Sequence, residues 1–202
     1  MKKVLFVAAH PDDIESSCSG TIIKCGESIE GYIVVFAPCL DDPLNAGILE
    51  EFKQAQALLG IKNLIVKNFR NQLLEQYSQQ IRDILYEFRT TVKPEVVFCP
   101  SLNDLHQDHK AVAKACMTIF RDCTTLLAYE IVRSTVNFNP TLFVQLSKEI
   151  MEKKLDVLRC YKTQYRRTYF KPRIFRALAT FRGSQINCEY AEAFEVLRMI
   201  NL

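Results

Sequence analysis

The chain has no C-x-x-C pair, and its eight cysteines (Cys18, Cys25, Cys39, Cys99, Cys116, Cys123, Cys160 and Cys188) sit mostly inside apolar segments. That pattern excludes a cysteine zinc ribbon and indicates no disulfide framework, so the thiols read as small core hydrophobes. No apolar run approaches the length needed to cross a bilayer, and no transmembrane segment is expected. Val4 to Ala9, after Met1-Lys2-Lys3, is too short for a secretory h-region and leads into charge. The expected location is therefore cytoplasmic. A strong charge of one sign is missing too: 26 basic residues against 23 acidic ones leave a formal +3, too weak for a global nucleic-acid footprint. No G-x-G-x-x-G follows the first apolar run, which argues against a dinucleotide-binding module. Internal repeats and low-complexity linkers are absent. Scarcest of the chemically versatile residues is histidine, with only His10, His106 and His109.

With 202 residues, 49% hydrophobic and 24% charged, the chain reads as one globular domain over 1–202. Val4 to Ala9 is an apolar run suited to a buried strand, which His10 and Pro11 stop. Ile14 to Glu30 has near-helical spacing and is expected to end at Gly31. Strand signals follow at 32–37, 63–69, 95–100, 126–132 and 141–146. Helix signals lie at 49–59, closed by Gly60, at 73–92, at 109–120, and from a Ser147 cap through Tyr161. The stretch 193–200 reads as a terminal strand or helix. Strands that alternate with helices, and are apolar on both faces, imply an α/β fold: a Rossmann-like, mostly parallel sheet flanked by helices. Ligands in such sheets sit at the carboxyl ends of the strands. The loop at His10 and the loop 100–109 then share one edge.

All three histidines fall in those two loops, in the company of Asp12, Asp13, Asp104 and Asp108. Imidazole and carboxylate are the usual ligands of a catalytic zinc, which takes three protein ligands and keeps one position open. A blander reading has Asp12 or Asp13 capping the first helix and Asp108 capping the fourth. A helix start is also a rigid platform for a ligand, so the two readings coexist.

The string AHPDDIES-x-C-x-G with a later HQDH closely resembles the PIG-L superfamily of metal-dependent N-deacetylases, also called LmbE-like, whose members act on N-acetylglucosamine-containing substrates. The resemblance extends through Glu51, Leu59-Gly60, Pro94 to Pro100, Arg182-Gly183 and Tyr190-Ala191-Glu192-Ala193-Phe194. It implies His10, Asp13 and His109 as ligands of Zn2+, with Fe2+ as the alternative in the cell. Asp12 corresponds to the family's general base and Asp108 to the aspartate neighbouring the histidine that His106 matches, so that Asp12, His106 and Asp108 are the expected catalytic residues. His106 corresponds to the histidine that steadies the tetrahedral intermediate or protonates the leaving amine. Asp12 would take a proton from the attacking water while zinc and a protonated His106 steady the oxyanion. The expected partner is a small amino-sugar substrate, free, activated or glycosidic, and a homo-oligomer is allowed. Nucleic acid is not expected.

Three departures bear on specificity. The glycine-rich end of the first motif is Ser17-Cys18-Ser19-Gly20, no arginine stands in the turn before Glu51, and Arg70-Asn71 replaces a common aspartate. Between Lys162 and Arg182 run Arg166, Arg167, Lys171, Arg173 and Arg176, with no acidic residue and with five interleaved aromatics. This stretch reads as an anion site for a phosphate, diphosphate or carboxylate, or equally as a solvated helix face or subunit contact. Arg70, Arg166, Arg173 and Arg176 are the substrate-binding candidates. A metal-dependent ester or phosphoester hydrolase using the same water, and a catalytically idle scaffold, are the other functions the sequence admits.

Overall fold

The computed structural model describes residues 1–122 and 125–200. Cys123, counted above among the core thiols, lies outside them.

Five strands form parallel neighbours, the four central ones from apolar runs. Strands β1 (Lys2–Ala8), β2 (Ile29–Val35), β3 (Asn63–Val66), β4 (Val96–Pro100) and β5 (Thr125–Tyr129) are joined in parallel. β6 (Leu142–Leu146) and β7 (Tyr190–Arg198) add an antiparallel edge. The order β3-β2-β1-β4-β5-β7-β6 confirms the expected Rossmann-like, mostly parallel sheet. It reverses direction between β1 and β4, because β1 leads to β2 on one side and β4 leads to β5 on the other. A crevice opens at such a switch point, beyond the carboxyl ends of the strands.

Strand alternation builds a core on each face. Val4, Phe6 and Ala8 join Ile33, Phe98 and Phe194 on one face, while Leu5, Val7 and Ala9 join Val34, Val97 and Phe120 on the other. The first face is covered by α1 (Asp13–Cys25), α2 (Ile48–Leu59), α5 (Lys148–Arg159) and α6 (Pro172–Ser184); the second by α3 (Ser78–Glu87) and α4 (Gln107–Phe120). None of these helices is long and apolar enough to cross a membrane.

Several boundaries differ from the sequence expectation. Helix α1 ends at Gly26, whose φ of 49° suits the left-handed region. Gly31 instead lies inside β2, closely packed on the loop before β3: a Cβ there would come 2.4 Å from Ile61 Cδ1, so the residue belongs to strand-to-loop packing and not to helix termination. The helix expected over 73–92 divides into a 3-10 turn (Leu74–Tyr77), α3 and a π-helical turn (Phe88–Val92). Gly60 does close α2, with φ 71°, and Ser147 Oγ does cap α5 by accepting from Ile150 N.

Gly20, the glycine retained at the end of the first motif, is closely packed. A Cβ there would lie 2.6 Å from Leu146 Cδ1 and 2.8 Å from Glu192 Oε1. Glu192 reaches in to accept from the amides of Gly20 and Thr21, from Thr21 Oγ1, and from Lys154 Nζ at 2.6 Å. Lys154 Nζ also donates to the Ser16 carbonyl at 2.7 Å. Both charged groups are buried, and this fully bonded pair ties α1, α5 and β7 together beneath the site.

Candidate metal centre and active site

The turn after β1 reverses the chain by placing Asp12 in the left-handed region, φ 88° and ψ −20°. That conformation costs a non-glycine residue on the order of 1 kcal/mol, less for Asp than for most. Its effect is to send two adjacent carboxylates apart. Asp13 Oδ2 folds back to accept from the amides of Ala9 and His10 at 3.0 and 2.9 Å. Asp12 sits at the N-terminal flank of α1 without making a capping bond, and it lines the cleft. The capping expectation for these aspartates therefore fails, because the left-handed turn aims Asp12 away from the helix amides.

The loop after β4 supplies the opposite side. His109, in the first turn of α4, is buried; its Nδ1 meets Asp104 Oδ2 at 2.9 Å and its Nε2 lies 3.5 Å from Asp13 Oδ1. His10 Nδ1 stands 3.3 Å from His109 Nε2. One ligand atom from each of His10, Asp13 and His109 thus falls within 4.8 Å of the others. His10, His106 and Asp108 form an overlapping second group.

The donor chemistry fits a divalent cation: two imidazoles and a carboxylate, buried, with the outward nitrogen of His109 held by a carboxylate that is itself satisfied. Asp104, fully buried, accepts from Ser134 Oγ, Thr135 Oγ1 and the His106 amide. The field points the same way. Burial alone would lower the pKa of His109, yet Asp13 and Asp104 raise it to about 10. Two carboxylates facing one imidazole make the position electronegative, which suits a bound cation. Asp13 and Asp104 are correspondingly held below the usual carboxylate range, against burial, by His109.

Asp12 behaves oppositely. Burial first, then its neighbours Asp13 and Glu15, raise its pKa well above the ordinary value, with Arg167 and His109 opposing. A carboxylate raised in this way is a better proton acceptor than a free one.

His106 stands at the start of α4. Its Nδ1 accepts from the Asp108 amide at 3.2 Å, so His106 is the N-cap of α4 and Asp108 is not. Burial, then His109 and His10, lower its pKa to about 4. The cap bond accepted at Nδ1 places the proton of the neutral ring on Nε2, and the lowered pKa favours that form. Freed from capping, Asp108 accepts from the amides of Gln72 and Leu74 at 2.7 and 3.0 Å and meets His10 Nε2 at 3.0 Å. It therefore orients His10 and pins the loop after β3 to the site.

His10, Asp12, Asp13, His106 and His109 line one side of a cleft of about 460 Å³, a volume typical of small-molecule sites. The other side is built by Arg133, Arg167, Tyr169, Phe170 and Phe175. None of Arg70, Arg166, Arg173 and Arg176 is among the lining residues. Arg70 is exposed while its neighbours Asn71 and Gln72 face the cleft. Arg166 pairs with Asp42 and Asn45, Arg176 pairs with Glu152, and Arg173 lies exposed on α6. Sequence reasoning passed over Asp104 as a site residue and gave no weight to Arg133. Asp104 carried a signal, standing five residues before His109, whereas Arg133 sits in a stretch without a pattern.

Among known proteins, residues 5–120 match the model of the PIG-L family, described as GlcNAc-PI de-N-acetylase. The uncharacterized deacetylase YaiS of Escherichia coli is 28% identical over 174 residues, 80% of this chain and 91% of the relative. The diacetylchitobiose deacetylase of Thermococcus kodakarensis is 25% identical over 95% of this chain and 82% of its own length. In structure, the N,N'-diacetylchitobiose deacetylase of Pyrococcus horikoshii, complexed with its inhibitor MPG, superposes with a TM-score of 0.82 at 23% identity, covering 97% of this chain and 84% of that one.

Proposed function

The chain belongs to the PIG-L family, and from that premise we propose that residues 1–202 form one catalytic domain that hydrolyses the acetamido group of an N-acetyl amino sugar to the free amine and acetate. The observation that carries this reading is the convergence of His10, Asp13 and His109 within 4.8 Å, with Asp12 beside them in the cleft. Relatives that are deacetylases, among them enzymes of diacetylchitobiose, support the reaction class.

His10, Asp13 and His109 would hold a divalent ion, with Zn2+ our assignment and Fe2+ the alternative in the cell. Such an ion would supply acidification of a water and polarisation of the amide carbonyl. Asp12 accepts the proton that the water loses as its oxygen bonds to the carbonyl carbon. The neutral His106 donates from Nε2 to the oxygen on which negative charge develops. When the C–N bond breaks, Asp12 returns the proton to the departing nitrogen, so the sugar leaves as an amine and the acyl group as acetate. Asp104 and Asp108 fix the rings of His109 and His10 and touch no reacting atom.

Acetate release from a panel of N-acetyl sugars, measured with and without chelator, tests the proposal. Chelator-sensitive release that returns with Zn2+ or Fe2+ is expected. Cleavage of esters or phosphoesters without any acetate release from the sugars would replace it with the other hydrolase reading.

A further inference from the structure

The cleft is two-sided, and its far side holds two guanidiniums that the mechanism leaves unused. Arg133 and Arg167 both line it, and both pack on one ring: Arg133 Cζ lies 5.1 Å and Arg167 Cζ 5.9 Å from the centroid of Tyr169. Arg167 Nη1 also donates to the Tyr169 hydroxyl at 2.6 Å. Among the described residues, no carboxylate stands within ion-pair distance of either guanidinium, although Arg167 feels the charge of Asp12 across the cleft. Other arginines nearby are neutralised, Arg166 by Asp42, Arg176 by Glu152 and Arg182 by Glu130. Two like charges gathered on one aromatic ring repel each other, and the arrangement is favourable when an anion bridges them. Guanidinium forks stacked on a ring lose less freedom on binding such an anion than free ones do.

We propose that the substrate is an N-acetyl amino sugar that carries a phosphate or carboxylate group, and that Arg133 and Arg167, oriented by Tyr169, bind that group. The inference deepens the deacetylase reading and rests on it. It assigns the anion site of the basic, aromatic stretch to Arg167, which faces the cleft, and adds Arg133 from the loop after β5. The metal-side residues act on the acetamido group, while the arginine pair selects the substituent. The cleft volume accommodates a monosaccharide with one such substituent.

The test is binding, measured by calorimetry on the metal-loaded Asp12→Asn variant, in which turnover is slow. The probes are N-acetylglucosamine, its 1-phosphate, its 6-phosphate and N-acetylmuramic acid. At least one anionic sugar is expected to bind about tenfold more tightly than N-acetylglucosamine, with the preference shrinking as salt rises. The phosphates against N-acetylmuramic acid separate a phosphate from a carboxylate. In Arg167→Gln and in Arg133→Gln the preference should fall to about twofold, and Arg167→Lys should recover only part of it. Arg133 is exposed, so Arg133→Gln keeps the test valid if an Arg167 variant folds poorly. Equal binding of all four probes, binding of none, or a preference that survives both Gln variants overturns the proposal. The acetate-release panel reports on the underlying reading separately: an arginine-dependent anion preference without acetate release keeps the anion site and discards the deacetylase.

Discussion

The two sides of the cleft are held by different physics. On the metal side Asp104 and Asp108 are fully buried, and Asp13 and His109 are 3% exposed. Their side chains are fixed by backbone amides and by one another. On the far side Arg133 is exposed, Arg167 and Tyr169 are half-buried, and the contacts are two ring stackings and one hydrogen bond. Bond-making needs groups preset within tenths of an ångström, and the buried network provides that at a desolvation cost each partner offsets. Recognition of a substituent tolerates adjustment, and half-exposed arginines supply it. The fold reflects the division: the metal side hangs on the ends of β1 and β4 at the centre of the sheet, with Ser134 and Thr135 of the loop after β5 holding Asp104, while Arg133 projects from that loop and Arg167 and Tyr169 from the segment before α6.

If that contrast is right, substitutions should grade from loss of the centre to small changes of preference. The largest effect belongs to the ligands. His10→Ala and His109→Ala should each abolish stoichiometric metal, read by elemental analysis, and lower kcat/KM by about 10⁴-fold or more. Full metal occupancy in either variant would break the ligand assignment. Asp12→Asn comes next: metal stays, and kcat falls by about 10²- to 10⁴-fold, the range for a lost general base. Asp104→Asn removes the charge behind His109 without emptying its hydrogen-bond position, and should weaken metal affinity by about 10- to 100-fold in chelator competition. A loss as large as that of His109→Ala would make Asp104 part of the centre and not its support.

The metal side was legible in the sequence for the reason that makes it rigid. Strand ends put His10 and the 100–109 loop on one edge, and short-range spacing then fixes which side chains converge. The blander reading there had Asp108 capping α4, but the His106 ring takes the amide and releases the carboxylate to the loop after β3. The helix ending at Gly26 was misplaced because Gly31 carries the same signal for a different cause, close packing on Ile61. The far side was legible only as a basic, aromatic composition. Whether an arginine is free to bind depends on partners far away in sequence, such as Asp42 for Arg166 and Glu152 for Arg176, and no local pattern reveals those pairings.

The smallest effect sharpens the far side. Tyr169→Phe removes the hydroxyl that accepts from Arg167 and keeps the ring on which both guanidiniums stack. One neutral-to-charged hydrogen bond at a half-exposed site contributes about 1 kcal/mol or somewhat less, so the preference for an anionic over a neutral N-acetyl sugar should fall by about three- to fivefold. Tyr169→Leu removes the stacking face as well and should lower the preference further, toward the value of the arginine variants. Both measurements use the same calorimetric ratio, and metal content should match the parent protein, since Tyr169 touches no ligand. If Tyr169→Phe alone erased the preference, the hydroxyl and not the arginine pair would be the recognition group. If Tyr169→Leu left it intact, the guanidiniums would be held by something other than the ring, and the far side would be as preset as the metal side.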